Sequence, residues 1–281
     1  MSESSHAATR LRETNPSPGK PVRPHRLSLA ATVLLKILAC GAAAWMLQQR
    51  AEAAFGRAIA LEPDDPRAQY RLGNTLYGQK KYAEAVAAYR KAIQDLPRYA
   101  PAYNGLGNAL AGQKKLDEAV TAYRRAIELR PDHPEPYNNL GNALAGQGKL
   151  DEAVAAYRKT IALKPDYPEA YNNLGNVLRV SGRLAEAEAA FRRAIAVNAK
   201  YAEAYSGLGA VLYGTKKFAE AEVAYRKAVE LKPHFAAAYT GLGNALLAQQ
   251  KTREAEAAFR KAAALKADPT KAPPGPRSPR P

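Results

Sequence analysis

The chain alternates short apolar stripes with polar breaks, a pattern that predicts pairs of amphipathic helices. Residues 134–167 show it clearly. Their first stripe follows the i, i+3, i+4, i+7 spacing of one helix face: Tyr137, Leu140, Gly141 and Leu144. The segment 146–149 breaks this stripe, and a second one follows: Leu150, Ala153, Tyr157, Thr160 and Ile161. Pro165 then ends the unit, because proline lacks the amide hydrogen that a helix interior needs.

The same unit recurs along most of the chain. A Leu-Gly-(Asn/Ala) tripeptide returns every 34 residues, with its glycine at Gly73, Gly107, Gly141, Gly175, Gly209 and Gly243. Six complete units follow, each predicted to hold two helices: 66–99, 100–133, 134–167, 168–201, 202–235 and 236–269. A regular period of this length indicates a stacked repeat architecture.

The side chains within each unit point to one repeat family. Each unit carries, in order, an aromatic residue, Leu, Gly, a large apolar residue, Ala, a second aromatic, Ala and Pro. The six units depart from this order only at Gln69, Thr160, Ala199 and Ala267. The order resembles the tetratricopeptide repeat, W-x2-L-G-x2-Y…A-x3-F…A…P. This resemblance implies an all-α fold, an α-solenoid of tandem 34-residue helix-turn-helix repeats that forms a right-handed superhelix with the first helices on its concave face.

The segment before the six repeats allows two interpretations. Residues 48–65 match the second helix of a partial repeat, whereas residues 27–47 form a 21-residue apolar stretch interrupted only by Lys36. That length could span a bilayer as a signal-anchor and leave the repeats outside the cytoplasm. Lys36 near the centre opposes insertion, by about 2.5–3.5 kcal/mol. The alternative is an eroded first helix of the partial repeat, in a cytoplasmic protein.

Composition adds two expectations for the ends of the chain. About half of the net charge of +16 lies in residues 1–50 and 264–281. Residues 1–26 and the Pro-rich basic tail 270–281 are predicted to be disordered. The rest of the positive charge is spread thinly over the repeats, and no aromatic stacking platform or nucleic-acid motif accompanies it, which disfavours a nucleic-acid partner.

The candidate binding site is a set of asparagines on the first helices. They are Asn74, Asn104, Asn108, Asn138, Asn139, Asn142, Asn172, Asn173, Asn176 and Asn244. Asparagine carries both a donor and an acceptor, so such a row suits the backbone of an extended peptide. The row resembles the asparagine-rich groove of the O-linked N-acetylglucosamine transferase repeats. The alternative is that these side chains hydrogen-bond neighbouring helices.

Charged residues refine this picture. Arg67 and Arg71 could hold an acidic group at one end of a groove that is otherwise expected to be nearly uncharged between the second and sixth repeats. The Lys and Arg pattern by which related co-chaperones bind a chaperone C-terminus is missing. On the second helices, Glu188, Glu222 and Glu256 each precede an arginine by four residues, which predicts ion pairs on a solvated outer face.

No catalytic motif, phosphate-binding glycine loop or metal-ligand spacing occurs in the sequence. We therefore expect no enzymatic activity, no cofactor and no small-molecule substrate. The leading hypothesis is a protein–protein interaction scaffold that binds an extended peptide or partner protein in the concave groove, with a possible membrane attachment through residues 27–47. The alternative is a substrate-recruiting arm of a glycosyltransferase-type system, without a catalytic domain of its own.

Overall fold

The computed structural model describes residues 65–267, together with Met46 and Arg50. The chain divides into two spatial units, Met1–Leu47 and Gln48–Pro281, and residues 65–267 all belong to the second. Within these residues, no helix has the length and hydrophobicity needed to cross a membrane. Apart from Met46, Arg50 and Asp65, four of the predicted segments lie outside the described residues: 1–26, 27–47, 48–65 and 270–281.

The described residues form twelve α-helices, two in each predicted unit. The two helices of each repeat pack against each other, and consecutive repeats pack against one another along the chain. The predicted all-α solenoid of helix-turn-helix repeats is confirmed. The first helices are α1 (Pro66–Gly78), α3 (Ala100–Gly112), α5 (Pro134–Gly146), α7 (Pro168–Val180), α9 (Ala202–Gly214) and α11 (Ala236–Ala248). The second helices are α2 (Tyr82–Asp95), α4 (Leu116–Leu129), α6 (Leu150–Leu163), α8 (Leu184–Val197), α10 (Phe218–Leu231) and α12 (Thr252–Ala267).

A left-handed residue ends every first helix. Gly148 and Gly182 fill this position in the third and fourth repeats, with φ of 76° and 78°. The other four repeats use a longer side chain there, as at Lys114 with φ of 63°. The next amide then closes the turn: the Lys115 N–H donates to the Leu110 carbonyl at 3.0 Å. This bond satisfies a carbonyl that the end of the helix leaves free, as in a Schellman cap.

An aromatic ring on each second helix fixes the distance between the two helices of a repeat. The Tyr157 ring is 2% exposed and lies against Gly141, where a Cβ atom would come within 2.7 Å of its Cε1 atom. The Tyr89 ring lies between two glycines, Gly73 of its own repeat and Gly105 of the next, and a Cβ on either would come within 2.6 Å. Glycine at these positions therefore lets helix backbones approach across the ring.

A ladder of ion pairs joins neighbouring repeats on the second helices. In each case the arginine of one repeat reaches a glutamate 28 residues later, for example Arg158 Nη2 to Glu186 Oε2 at 2.9 Å. Four further pairs have the same spacing: Arg90–Glu118, Arg124–Glu152, Arg192–Glu220 and Arg226–Glu254. Because these side chains are exposed, each pair contributes little, about 0–1 kcal/mol. The outer face is thus solvated, as predicted, but its arginines also connect repeats.

The later repeats add one buried carboxylate, Glu222, and one half-buried carboxylate, Glu188, to these contacts. Of the three predicted i, i+4 pairs, Glu188–Arg192 and Glu222–Arg226 form at 2.8 Å, whereas Glu256 makes no ion pair among the described residues. Glu222 is 8% exposed, and Lys251 of the next repeat also donates to it at 2.7 Å. Burial alone would raise the pKa of Glu222, but bonds from Lys251, Arg226 and Gln249 outweigh it and hold that pKa below its usual value.

Replacing the ring-facing glycine tests the packing account. In Gly141→Ala the new methyl group would overlap the Tyr157 ring, so we expect the free energy of unfolding to fall by about 1–3 kcal/mol. Gly214→Ala is the matched control, because no atom lies within 4 Å of its added Cβ, and it should gain about 0.5–1 kcal/mol from helix propensity. Urea denaturation followed by circular dichroism measures both. Equal effects of the two substitutions would contradict the account.

Glu222→Gln tests the buried carboxylate. Because folding lowers the pKa of Glu222, its contribution is complete above its unfolded pKa of about 4.3 and is lost as pH falls through the lower folded value. We expect this substitution to cost about 1–3 kcal/mol at pH 7 and much less at pH 3, as measured by thermal melting of both proteins. Glu169→Gln, at an exposed residue without an ion pair in the described chain, is the control and should change the stability at pH 7 by less than about 0.5 kcal/mol. A pH-independent cost of Glu222→Gln would disprove this assignment.

Candidate functional site

The first helices form the inner face of the stack. The backbone of each first helix comes within 8 Å (Cα to Cα) of the first helix of the next repeat, from α1 through α11. Among the described residues, the second helices of neighbouring repeats do not come that close and meet only through long side chains such as those of Arg158 and Glu186. The first helices therefore lie closer together and form the concave side. The candidate asparagines lie on these helices, and several of them bond to one another or to the rings below.

In the first three repeats one asparagine accepts a bond from the ring of its own repeat. The Tyr157 hydroxyl donates to Asn142 Oδ1 at 2.7 Å, and equivalent bonds join Tyr89 to Asn74 and Tyr123 to Asn108. Burial raises the pKa of Tyr157 well above its ordinary value, so this hydroxyl keeps its proton and remains a donor. Each of these asparagines thus holds the polar end of a buried ring.

Two further asparagines join consecutive repeats. Asn139 Nδ2 donates to Asn104 Oδ1 and to Asn108 Oδ1, both at 3.1 Å. One repeat later, Asn173 Nδ2 donates to Asn138 Oδ1 and Asn142 Oδ1, both at 3.2 Å. The alternative interpretation of the asparagines, hydrogen bonding between neighbouring helices, is therefore confirmed for Asn139, Asn173 and the asparagines to which they donate. We call these bonds, with the three tyrosine bonds, the asparagine ladder.

The asparagine ladder stops at the fifth repeat. The position that carries Asn139 and Asn173 in earlier repeats holds Gly207 there, and a Cβ on Gly207 would come within 2.3 Å of the Phe191 ring. With no asparagine opposite it, the buried Oδ1 atom of Asn172 has no hydrogen-bond partner. The Phe191 ring thus excludes a side chain at residue 207, and as a result the Oδ1 atom of Asn172 receives no hydrogen bond.

Three of the candidate asparagines stand outside the asparagine ladder: Asn172, Asn176 and Asn244. Asn176 and Asn244 occupy the position of Asn142 in their repeats, but the ring beneath each is a phenylalanine, Phe191 or Phe259. Their side chains make no hydrogen bond to any described residue, so donor and acceptor both remain available. An asparagine above a Tyr of the second helix therefore accepts a hydrogen bond within the protein, whereas an equivalent asparagine above a Phe does not.

The asparagine ladder decides what the groove offers to a ligand. The Oδ1 atoms of Asn104, Asn108 and Asn142 accept bonds within the protein, whereas their Nδ2 groups donate to no described residue. An open cavity of about 250 Å³ lies beside them and is lined by Tyr77, Asn108, Ala111, Gly112, Leu116, Tyr123, Asn139, Asn142 and Ala143. This part of the groove therefore presents amide donors, which suit carbonyl or carboxylate oxygens.

The groove is more charged than the sequence suggested. Arg67 and Arg71 lie near Tyr99: burial and Tyr70 raise the pKa of Tyr99, and the two arginines oppose that rise. Neither arginine forms an ion pair within the described chain, and binding of an acidic group by Arg67 and Arg71 stays a prediction. The prediction of a nearly uncharged groove is wrong, because Glu135 lines a cavity of about 260 Å³ together with Asn104.

One row of groove residues was missed from the sequence. It consists of equivalent residues in the last turn of each first helix, 34 apart, and we call it the inner row: Tyr77, Ala111, Ala145, Arg179, Tyr213 and Leu247. Tyr77 and Ala111 line the cavity beside Asn108, which places the row at the groove. In the sequence, the change at this position from alanine in the second and third repeats to large side chains from Arg179 onward could have indicated this row.

Comparisons with known proteins give the same architecture. The family model of the Cilia and flagella-associated protein 70 C-terminal domain matches residues 23–273. The crystal structure of MamA is 29% identical, with a TM-score of 0.54, over 59% of this chain and 98% of that one. No catalytic domain is identified in the chain. A search of the curated proteins finds none that matches this sequence.

Two more distant structures share the fold alone. YrrB, described as a TPR protein with an unusual peptide-binding site, is 23% identical with a TM-score of 0.54, and the match covers 66% of this chain and 95% of that one. The pilF protein of Pseudomonas aeruginosa is 18% identical with a TM-score of 0.65, over 74% of this chain and 95% of that one.

Equivalent asparagines should differ in their contribution to stability. Asn142→Ala leaves the Tyr157 hydroxyl without its acceptor, which we expect to cost about 1–3 kcal/mol of unfolding free energy. Asn176→Ala lies at the same position one repeat later, above Phe191, and should change stability by less than about 0.5 kcal/mol. Urea denaturation of the two variants provides the comparison. Similar costs at both positions would show that the tyrosine bond does not matter.

Proposed function

Because this chain belongs to the Cilia and flagella-associated protein 70 C-terminal domain family of tetratricopeptide repeats, we propose that it binds an extended polypeptide in the groove of its first helices. Tetratricopeptide repeats are scaffolds that generally mediate protein–protein interactions. The proposal adds that the ligand lies along the asparagine ladder, and that the ladder holds the ligand through its backbone rather than through a particular side-chain sequence.

The unused Nδ2 groups carry this proposal. Asn104, Asn108 and Asn142 each bond an internal donor through Oδ1, which fixes the plane of the amide and leaves Nδ2 as a donor. A donor held in place loses little conformational freedom when it binds, so its hydrogen bond to a ligand costs less. Backbone carbonyls of an extended peptide are the acceptors that recur at regular intervals along a chain.

The spacing of the repeats suits a peptide. Adjacent packed helices lie about 8–10 Å apart, and an extended chain rises about 3.3 Å per residue, so about three peptide residues span each repeat. The two groove cavities of about 250 and 260 Å³ are smaller than the 300–1,000 Å³ usual for small-molecule sites. Size and periodicity therefore both favour a long, narrow ligand over a compact one.

Two other hypotheses from the sequence stay predictions. Membrane attachment through residues 27–47 falls on a segment outside the described residues. A recruiting arm for a glycosyltransferase-type system would use the same groove, with a substrate protein as the extended ligand. Neither changes the chemistry that we assign to the groove.

Asn108→Asp combined with Asn142→Asp tests the proposal. Each aspartate still accepts the tyrosine and asparagine bonds through one oxygen, but it cannot donate to a ligand. Peptides selected from a displayed 12-residue library on the full chain supply the probes, and fluorescence anisotropy measures their dissociation constants. We expect at least a tenfold loss of affinity, with the melting temperature close to that of the parent protein.

Asn198→Asp is the matched control. Asn198 is exposed in the loop between α8 and α9, and its Oδ1 atom accepts a bond from the Lys200 N–H, which aspartate would keep. This variant adds one negative charge of the same kind outside the groove and should bind peptide as the parent does. The proposal fails if the groove variant keeps the parental affinity, or if the library yields no binding peptide.

A further inference from the structure

The groove changes character along the stack. The inner row carries Ala111 and Ala145 in the second and third repeats, but large side chains in the last three: Arg179, Tyr213 and Leu247. The asparagine ladder runs from Asn74 in the first repeat to Asn173 in the fourth, and it ends at the repeat where Arg179 begins the run of large side chains. The groove therefore has a donor-rich part and a second part built from different chemistry.

The position of the Tyr225 ring indicates where Arg179 and Tyr213 lie. Arg179 lowers and Tyr213 raises the pKa of Tyr225, although burial is the largest influence and raises it to about 12. The Tyr225 ring lies between Gly209 and Gly241, which belong to the first helices α9 and α11. Arg179 and Tyr213 are therefore close to a ring under the concave face, consistent with their equivalence to Tyr77.

Large apolar side chains remain exposed on the first helices of repeats four to six. Leu247 is 51% exposed, Tyr213 is 37% exposed, and Val180, which follows Arg179, is 64% exposed. Most large apolar side chains of the described residues are buried or half-buried in the repeat core. Apolar surface left open on three consecutive first helices is stabilised when a ligand removes it from water, so it favours an apolar partner.

A cation and a free amide lie next to this apolar surface. Arg179 is exposed on α7 and forms no ion pair within the described chain. Asn176 precedes it by three residues, which places the two on one face of the helix, and its amide makes no hydrogen bond to a described residue. An arginine beside an amide donor matches a carboxylate, because both of its oxygens can then accept hydrogen bonds.

We infer that repeats four to six form an anchor site for a peptide that carries one acidic residue and bulky apolar residues at intervals of about three. Arg179 and Asn176 bind the carboxylate, and Val180, Tyr213 and Leu247 contact the apolar side chains. The interval follows from the distance between neighbouring helices and the rise of an extended chain. This inference rests on the proposed function, and it adds sequence preference to binding that the asparagine ladder alone would leave unselective.

Defined peptides test the anchor site on the full chain. Four fluorescein-labelled 16-residue Gly/Ser peptides are compared. The first carries no anchor residue, and the second carries a single Asp. The third carries a Phe and a Leu three residues apart, and the fourth carries all three residues in the order Asp-x-x-Phe-x-x-Leu. A fifth peptide has the reverse order. We expect one of the two complete orders to bind at least tenfold more tightly than either partial peptide, and more than a hundredfold more tightly than the plain one.

Matched variants separate the two contributions. Arg179→Glu should weaken the complete peptide about tenfold and leave the Phe/Leu peptide unchanged, with Lys159→Glu as a charge-reversal control at an exposed residue of α6. Val180→Ser with Leu247→Ser should weaken both of those peptides about tenfold. Val223→Ser is the control, because Val223 is 69% exposed but lies on the second helix α10. Thermal melting confirms that each variant is folded.

The outcomes also distinguish this inference from the proposed function. If all five peptides bind equally and lose affinity only in the Asn108→Asp, Asn142→Asp variant, the anchor site is wrong while the asparagine ladder still binds peptide. Equal losses in the groove variants and in their controls would likewise overturn the anchor site. If none of the five peptides and no library peptide binds, both the anchor site and the proposed function are wrong.

Discussion

The contact between a glycine on each first helix and an aromatic ring on each second helix underlies the rest of the structure. The ring takes the space that a Cβ atom would need, within 3.0 Å at all six equivalent glycines of the repeats. Two helices can therefore pack with their backbones close together, and the ring stays buried. Where the next repeat also offers a glycine, as Gly105 does above Tyr89, the same ring sets the distance between repeats.

The groove chemistry follows from this packing. A tyrosine ring buried beside a glycine brings its hydroxyl to the inner face, where Asn74, Asn108 or Asn142 accepts its bond. At Asn108 and Asn142 a second bond, from Asn139 or Asn173, takes the other lone pair of the same oxygen, so these two asparagines keep only a donor for a ligand. When the ring is Phe191, the equivalent Asn176 keeps both groups. A difference of one hydroxyl group in the core thus changes what the surface can bind, and the same asparagines serve both stability and recognition.

Much of the fold could be predicted from the sequence, because the apolar stripes and the polar break that define each helix pair lie within one repeat. The stripes in residues 134–167 predicted two helices around a break at 146–149, and α5 and α6 end and begin at that break. Interactions between repeats were harder to predict. The Asn139–Asn104 bond joins residues 35 apart and the Arg158–Glu186 pair joins residues 28 apart, so both depend on how one repeat is rotated against the next. The residue pattern within one repeat does not predict how the next repeat is rotated against it.

The central claim is that the asparagine ladder binds peptide carbonyls through Nδ2 groups that are already held in place. A crystal structure of the chain with a library-selected peptide tests it most directly. The account predicts peptide carbonyl oxygens within about 3.2 Å of Nδ2 of Asn108 and Asn142, with the Tyr123 and Tyr157 bonds to Oδ1 unchanged. A peptide bound on the second-helix face, or one whose amides bond Oδ1 after the tyrosine bonds have broken, would contradict it.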